Sequence, residues 1–428
     1  MTLLLLICFL PTALNLADLI AENDPKLDFI LRLAFFVVEA AFVFFVMRFL
    51  LRWNEGRPIY LLLAAACGAL LFATKETAFI TIGTMQLACV CVWLWRKIYP
   101  GFFGEIKPGD EPVELTWTTF RARFGDKRET ILLLVAAFLL FVYLVVLFFS
   151  SFFTYWGGVA GAFKAYAFWT KTGTGDHTQN GTWAYARWLL KLESPIFLLS
   201  ILGTIIAFAK ARHRFAMFTG LWAFGLFAAY TIIPYKTPWL ALSFLLPMCI
   251  IAGYGINELA ASRDNLTKGF AALLAALAVG ILGYQTYDLN FVRYDDDRMP
   301  YVYAHTRRGF LDLIKQINYY AEKSGKGKDA TIEIVSPDYW SMPWYTRDFS
   351  RADYYGKIIP ASAAEMIVAK KGEQDADILR EYSAHYKYVG TYPLRPGVDL
   401  YLLVRRDLAD PDAKEISEAL AGESGAVK

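Results

Sequence analysis

The sequence predicts an α-helical polytopic membrane protein of about nine spans, followed by a small C-terminal α/β domain outside the membrane. Three observations predict it. The chain of 428 residues is 56% hydrophobic and only 19% charged, against about 25% charged for a soluble domain. Long apolar runs succeed one another to about residue 290 and then stop. Lys and Arg collect in alternate connections between those runs, as they do on the cytoplasmic side of multi-pass proteins.

A helix crosses a bilayer with roughly 20 mostly apolar residues. Runs of that kind lie near 2–21, 29–51, 58–74, 77–95, 130–154, 194–210, 215–234, 238–256 and 269–289. The first carries Asn15 and Asp18, and the third is short. The first also reads as a signal peptide, although it has no positive n-region; on either reading 22–28 lies outside. Arg48, Arg52 and Arg57 mark one basic connection, and 96–129 a second. Lys210, Arg212 and Arg214 mark a third, and Arg263 and Lys268 a fourth. That side is assigned to the cytoplasm. The opposite side receives 22–28, the turn at 75–76, 155–193, 235–237 and everything after 290. The 96–129 connection mixes charge with aromatics and reads either as a segment on the membrane surface or as a solvated linker.

The domains expected are therefore a membrane unit over 1–290, an α/β unit over 291–406 and a fraying tail over 407–428. In the α/β unit, 305–327 has helical periodicity and stops at Gly325. The runs at 330–336, 365–371, 385–392 and 398–406 read as strands, and 373–384 reads as a helix. Alternation of helices and strands favours a single sheet. The chain has neither a GxGxxG nor a P-loop motif, so no nucleotide cofactor is implied. A net charge of +3 gives no case for a nucleic-acid partner. The five cysteines, at 8, 67, 89, 91 and 249, all fall in apolar runs, and the four histidines share no metal-ligand spacing. Neither a disulfide framework nor a metal site is expected.

On this topology the unusual polar motifs gather on the outer face. "TKET" at 74–77 sets Lys75 beside Glu76 between two apolar runs. Long charged side chains are tolerated at helix ends, where they reach the headgroups, so the pair reads as an interface marker. It reads equally as a cation for a phosphate with a carboxylate beside it. "YTIIPYKTPWLA" at 230–241 offers a second cation, Lys236, next to Tyr235 and before Pro238; that lysine reads either as a snorkelling anchor or as part of a lipid-phosphate site. The outer loop 155–193 is rich in rings, among them Trp183 and Tyr185. These suit an interfacial belt or the stacking of sugars. Asp176 and His177 in that loop are neighbours able to do acid–base work, and the same stretch also reads as a capped turn. Glu39, in mid-span, is a functional candidate on cost alone, or else packs against a partner helix.

"FATKETAF", "TGDHTQNGTWAY", "KLESP", "IPYKTPWLALSFLLP" and, in the C-terminal part, "DYWSMPWYTRDF" together resemble the family of flippase-activity-associated membrane proteins. That family is similar to the protein O-mannosyltransferase-like and aminoarabinose-transferase-like enzymes of the GT-C glycosyltransferase fold. The resemblance covers about 29–405. It implies a multi-pass enzyme of the cell (inner) membrane that takes a sugar from a polyprenyl-phosphate lipid and passes it to a glycan or protein acceptor on the outer face. Glu76, Asp176 and His177 become catalytic candidates. Lys75, Lys236 and Tyr235 become candidates for the lipid phosphate, and Trp183, Tyr185, Trp239 and Trp344 for sugar or acceptor contacts. Such enzymes carry a catalytic carboxylate in a long first outer loop. Here the first outer loop is 22–28, with Glu22, Asp24 and Asp28, and is short. The resemblance thus implies that the family's usual N-terminal third is absent from this sequence, and it leaves a non-catalytic partner in lipid-linked glycan export or cell-envelope assembly as the alternative. A transporter has less support, since no repeated halves are visible.

Overall fold

A computed structural model describes residues 12–21, 24–52, 57–106, 125–172, 180–303, 305–361 and 363–424. The chain divides into two compact units, Met1–Thr286 and Tyr287–Lys428, so the boundary expected at 290 falls at 286.

The first unit is helical. A π-turn at Thr12–Leu16 leads into α1 (Ala17–Ala21). There follow α2 (Pro25–Arg52), α3 (Arg57–Thr74), α4 (Ala78–Phe103), α5 (Lys127–Phe149) and α6 (Gly157–Thr172). Then come α7 (Ala184–Leu192), α8 (Ser194–Lys210), α9 (Arg214–Ile232), α10 (Ala241–Ala260) and α11 (Asn265–Tyr287). Among the described residues, five helices are long and apolar enough to cross a membrane: Ala78–Phe103, Lys127–Phe149, Arg214–Ile232, Pro238–Ala260 and Asn265–Val292. A sixth is counted if α7 and α8, bent by 108° at Glu193, form one broken span. Nine had been expected. The difference lies at the start, where 12–21 and 59–74 are apolar but short, and where α2, apolar from Leu33 to Met47 but for Glu39, is not among the helices counted. Rings and branched side chains such as Phe36, Val38, Phe138 and Leu242 stand exposed on these helices, as suits a surface against lipid tails.

Sequence chemistry explains the helix ends. At the start of α5, Asp126 accepts from the Glu129 N–H at 2.7 Å and the Glu129 carboxylate accepts from the Asp126 N–H at 3.0 Å, a reciprocal cap for two orphan donors. At the end of α8, Trp95 Nε1 donates to the Phe208 carbonyl at 3.1 Å and Tyr99 Oη to Ala209 at 2.6 Å. Glu258, 6% exposed near the end of α10, accepts from Lys210 Nζ and Arg212 Nη2, both at 2.6 Å. Two of the basic residues that set the topology therefore also clamp one end of α8 to the same end of α10. Between the ends, α8 and α10 approach through glycine. A Cβ on Gly203 would lie 2.0 Å from the Ile251 carbonyl, and one on Gly255 would lie 2.8 Å from Gly203 Cα. Small residues permit this approach where no hydrophobic force drives helices together.

The second unit is a five-stranded sheet with helices on both faces. Its strands are β1 (Ile332–Ile334), β2 (Ala352–Tyr354), β3 (Met366–Lys370), β4 (Tyr386–Arg395) and β5 (Val398–Arg405), in the order β2-β1-β3-β5-β4. The first three are parallel, and β3, β5 and β4 are antiparallel. The β4–β5 turn is Pro396–Gly397, with Gly397 at φ +76°, the left-handed position of a turn led by Pro. Alternation assigns the faces. Ile332, Ile334, Met366, Val368 and Leu402 pack under α12 (Phe310–Lys323) through Phe310, Leu313 and Ile317. Val335, Ile367, Ala369, Tyr401 and Leu403 pack under Ile378, Tyr382 and Ile416. A short helix, α13 (Met342–Tyr345), follows β1. The last two helices are α14 (Asp375–Tyr382) and α15 (Ile416–Ser424).

The expected helices and four strands are present, with shorter bounds except for β4, which runs on to Arg395. β2 had no period to reveal it, being the three residues "ADY". The fraying tail from 407 needs correction. Lys414 exchanges backbone hydrogen bonds with Tyr388, both at 3.0 Å, and Ile416 is buried in the second core face. The described part of that tail, to residue 424, belongs to the domain.

Candidate functional site

The turn between α3 and α4 is three residues long. The Lys75 N–H reaches the Leu71 carbonyl at 3.2 Å and the Ala78 N–H reaches the Lys75 carbonyl at 3.1 Å. Thr77 is buried, while Lys75 and Glu76 are half-buried at the tip. Lys75 Nζ sits 5.7 Å from the centroid of the Trp239 ring, a cation–π distance. Trp239 belongs to a 3₁₀ turn, Pro238–Leu240, that opens α10. Two motifs far apart in sequence thus meet at one end of the unit. Burial lowers the pKa of Lys75, and the neighbouring Glu76 carboxylate opposes that shift.

Tyr166 of α6 completes the surroundings. Its ring lies 6.4 Å from Phe72 and 6.2 Å from Phe79. Its buried hydroxyl has no hydrogen-bond partner among the described residues. Burial and then the Glu76 charge push that phenol above its ordinary pKa. Nothing in the sequence around Tyr166 marks it, because its role depends on a helix packed on the hairpin.

Lys236 stands differently from the expectation. It is 1% exposed, and its ammonium donates to the carbonyls of Tyr230 at 2.7 Å, Thr231 at 2.8 Å and Ile233. These are carbonyls at the C-terminal end of α9, which have no partner within the helix and attract a cation. Below it lies the Tyr185 ring, with the ammonium 5.6 Å from its centroid. Three N–H donors meet three carbonyls, so this lysine caps a helix and presents no ammonium to a lipid phosphate. Tyr185 is likewise corrected as a sugar contact. It is fully buried, its hydroxyl donates to the Thr237 carbonyl at 3.0 Å, and it receives the Thr237 N–H at 3.1 Å. Tyr185 braces the 235–239 segment.

The remaining candidates are placed as follows. Tyr235 is half-buried beside the capping lysine. Trp183 is exposed just before α7, and Trp239 is 42% exposed above Lys75. Trp344 is exposed in the second unit, with the Arg347 guanidinium 4.5 Å from its ring centroid. Asp176 and His177, with Glu22, lie outside the described residues. Among those described, no group of three or more His, Cys, Asp or Glu side chains is placed to hold a metal ion.

No known protein family, curated protein or solved structure matches this chain.

Proposed function

We propose that the protein is a GT-C-like glycosyltransferase of the inner membrane. It takes a sugar from a polyprenyl-phosphate lipid at the outer face and passes it to a glycan or protein acceptor, with the C-terminal α/β domain extracytoplasmic. The observation that carries this reading is Lys75: a half-buried cation at a helical hairpin tip, beneath an aromatic ring and next to a carboxylate. A cation near the headgroup level recognises lipid phosphate. Trp239 supplies an apolar face for a prenyl chain or a sugar ring. In the transfer, an acceptor oxygen forms a bond to the anomeric carbon. The anomeric carbon–oxygen bond to phosphate breaks, and the phosphate leaves with the electron pair. Lys75 balances the charge that grows on that phosphate. Glu76 takes the proton of the acceptor hydroxyl.

A second reading is favoured by Lys236. Of the two cations expected for the phosphate, one is committed to a helix end. A site with a single cation suits a partner that binds the lipid-linked sugar during glycan export or cell-envelope assembly without turning it over. Purified protein in lipid nanodiscs, supplied with a polyprenyl-phosphate sugar, separates the two. On the transferase reading Lys75→Ala lowers transfer tenfold or more, since a hydrogen bond to a charged group contributes about 1.5–3 kcal/mol. Glu76→Gln abolishes transfer and spares binding. Binding without transfer in the unaltered protein selects the partner reading.

A further inference from the structure

A second candidate site lies wholly within the C-terminal domain. A crevice of about 580 Å³ opens where the three parallel strands end, lined by Pro337 after β1, Gly356–Pro360 after β2, and Glu373 and Gln374 after β3. The order β2-β1-β3 sends the chain from β1 to one side, and the continuation from β3 goes to the other. The crevice therefore falls outside the carboxyl ends of the strands at the point where the winding reverses, the place where open α/β sheets bind ligands. Its volume lies within the span of small-molecule sites, about 300–1,000 Å³.

The walls define the ligand class. One wall is α14 and the turn before it, where Glu373 precedes the helix and Asp377, Arg380 and Glu381 lie on it, all lining the opening. Arg380 pairs with Asp377 at 2.7 Å and with Glu381 at 2.9 Å, and Lys370 pairs with Glu373. The facing wall brings Lys357, an exposed ammonium with no partner among the described residues, together with the apolar Ile358, Ile359 and Pro360. The loop after β1 is held rigid. Asp338 is fixed by Lys370 at 2.7 Å and by Arg395. Gln374 ties the β1 and β3 ends together, donating to the Val335 carbonyl at 2.9 Å and accepting from the Lys370 N–H at 2.7 Å.

Three carboxylates repel a phosphate or nucleotide, and their paired cations blunt attraction for a polyamine. What remains is an apolar wall, Ile358 to Pro360, facing carboxylates and a guanidinium with spare donors and acceptors. A pyranose matches that pattern, having an apolar C–H face and an edge of hydroxyls. We propose that this crevice binds a saccharide unit of a neutral glycan. The proposal rests on the crevice alone and not on the lipid-phosphate site of the membrane unit.

The test uses the full chain in nanodiscs and saturation-transfer NMR with methyl glycosides of mannose, glucose, galactose, arabinose and N-acetylglucosamine. Sodium phosphate and spermidine serve as competing probes. At least one glycoside is expected to bind. Asp377→Trp, which fills the mouth from a half-exposed helix position, and Glu381→Ala are each expected to weaken it tenfold or more with the melting temperature unchanged. Lys75→Ala is expected to leave it intact, so that failure here and failure of the membrane site are told apart. Binding of no glycoside, preference for phosphate or spermidine, or glycoside binding untouched by Asp377→Trp overturns the proposal.

Discussion

Glu365 and Lys236 are buried charges surrounded by partners, and both are structural. The Glu365 side chain is wholly buried, accepting from Lys326, Arg405 and the Thr331 N–H, each at 2.9 Å. Burial pushes its carboxyl up, but these partners outweigh burial and hold it below its ordinary value. A carboxylate lowered on folding contributes its stability above the unfolded pKa of 4.5 and loses it as pH falls through the folded value. Glu365→Ala is expected to destabilise the domain by about 2 kcal/mol at neutral pH, less than a fully buried pair because Lys326 is half-exposed. Much of that deficit is expected to vanish below pH 4.5, as read by thermal melts across pH. The sequence placed Lys75 and Lys236 at one level but said nothing of where each ammonium points. The signal was there for Lys236: it stands four residues beyond the end of α9 at Ile232, close enough to fold back on the last turn. For Lys75 the deciding contact is with Trp239, too far along the chain for any local pattern to report.

At the scale of elements, the membrane unit depends on the α8–α10 crossing. Gly203→Leu is expected to prevent close approach and to destabilise the unit by more than the 1–3 kcal/mol of ordinary overpacking, because the obstacle is the Ile251 backbone carbonyl. Gly280→Leu, on α11 with nothing within 4 Å of a Cβ, is expected to leave stability nearly unchanged. Thermal aggregation of the two variants in detergent checks the contrast. Both glycines sit in apolar runs that look alike in sequence, so periodicity locates the helices and cannot say which glycine meets a backbone. The domain strands were legible for the opposite reason. β3 and β5 are near-continuous apolar runs buried on both faces of the sheet, whereas β2 has only three residues.

At the scale of the whole molecule, the chemistry sorts by end. The Lys75–Trp239 contact puts the α3–α4 turn and the start of α10 together. Lys210, Arg212 and Glu258 put the basic α8–α9 connection at the far end of α10. The α3–α4 turn and the basic α8–α9 connection thus lie at opposite ends of one helix. The number of spans was less legible, because two of the apolar helices before residue 75 are short. On the proposed function, Lys75 and not Lys236 meets the lipid phosphate. Affinity of the nanodisc-embedded protein for a polyprenyl-phosphate sugar, measured for the unaltered chain, Lys75→Ala and Lys236→Met, tests it most directly. A loss of tenfold or more is expected for Lys75→Ala. For Lys236→Met a lowered melting temperature is expected, with the affinity of the folded fraction unchanged. Full affinity in Lys75→Ala, or an affinity lost only in Lys236→Met, would contradict it.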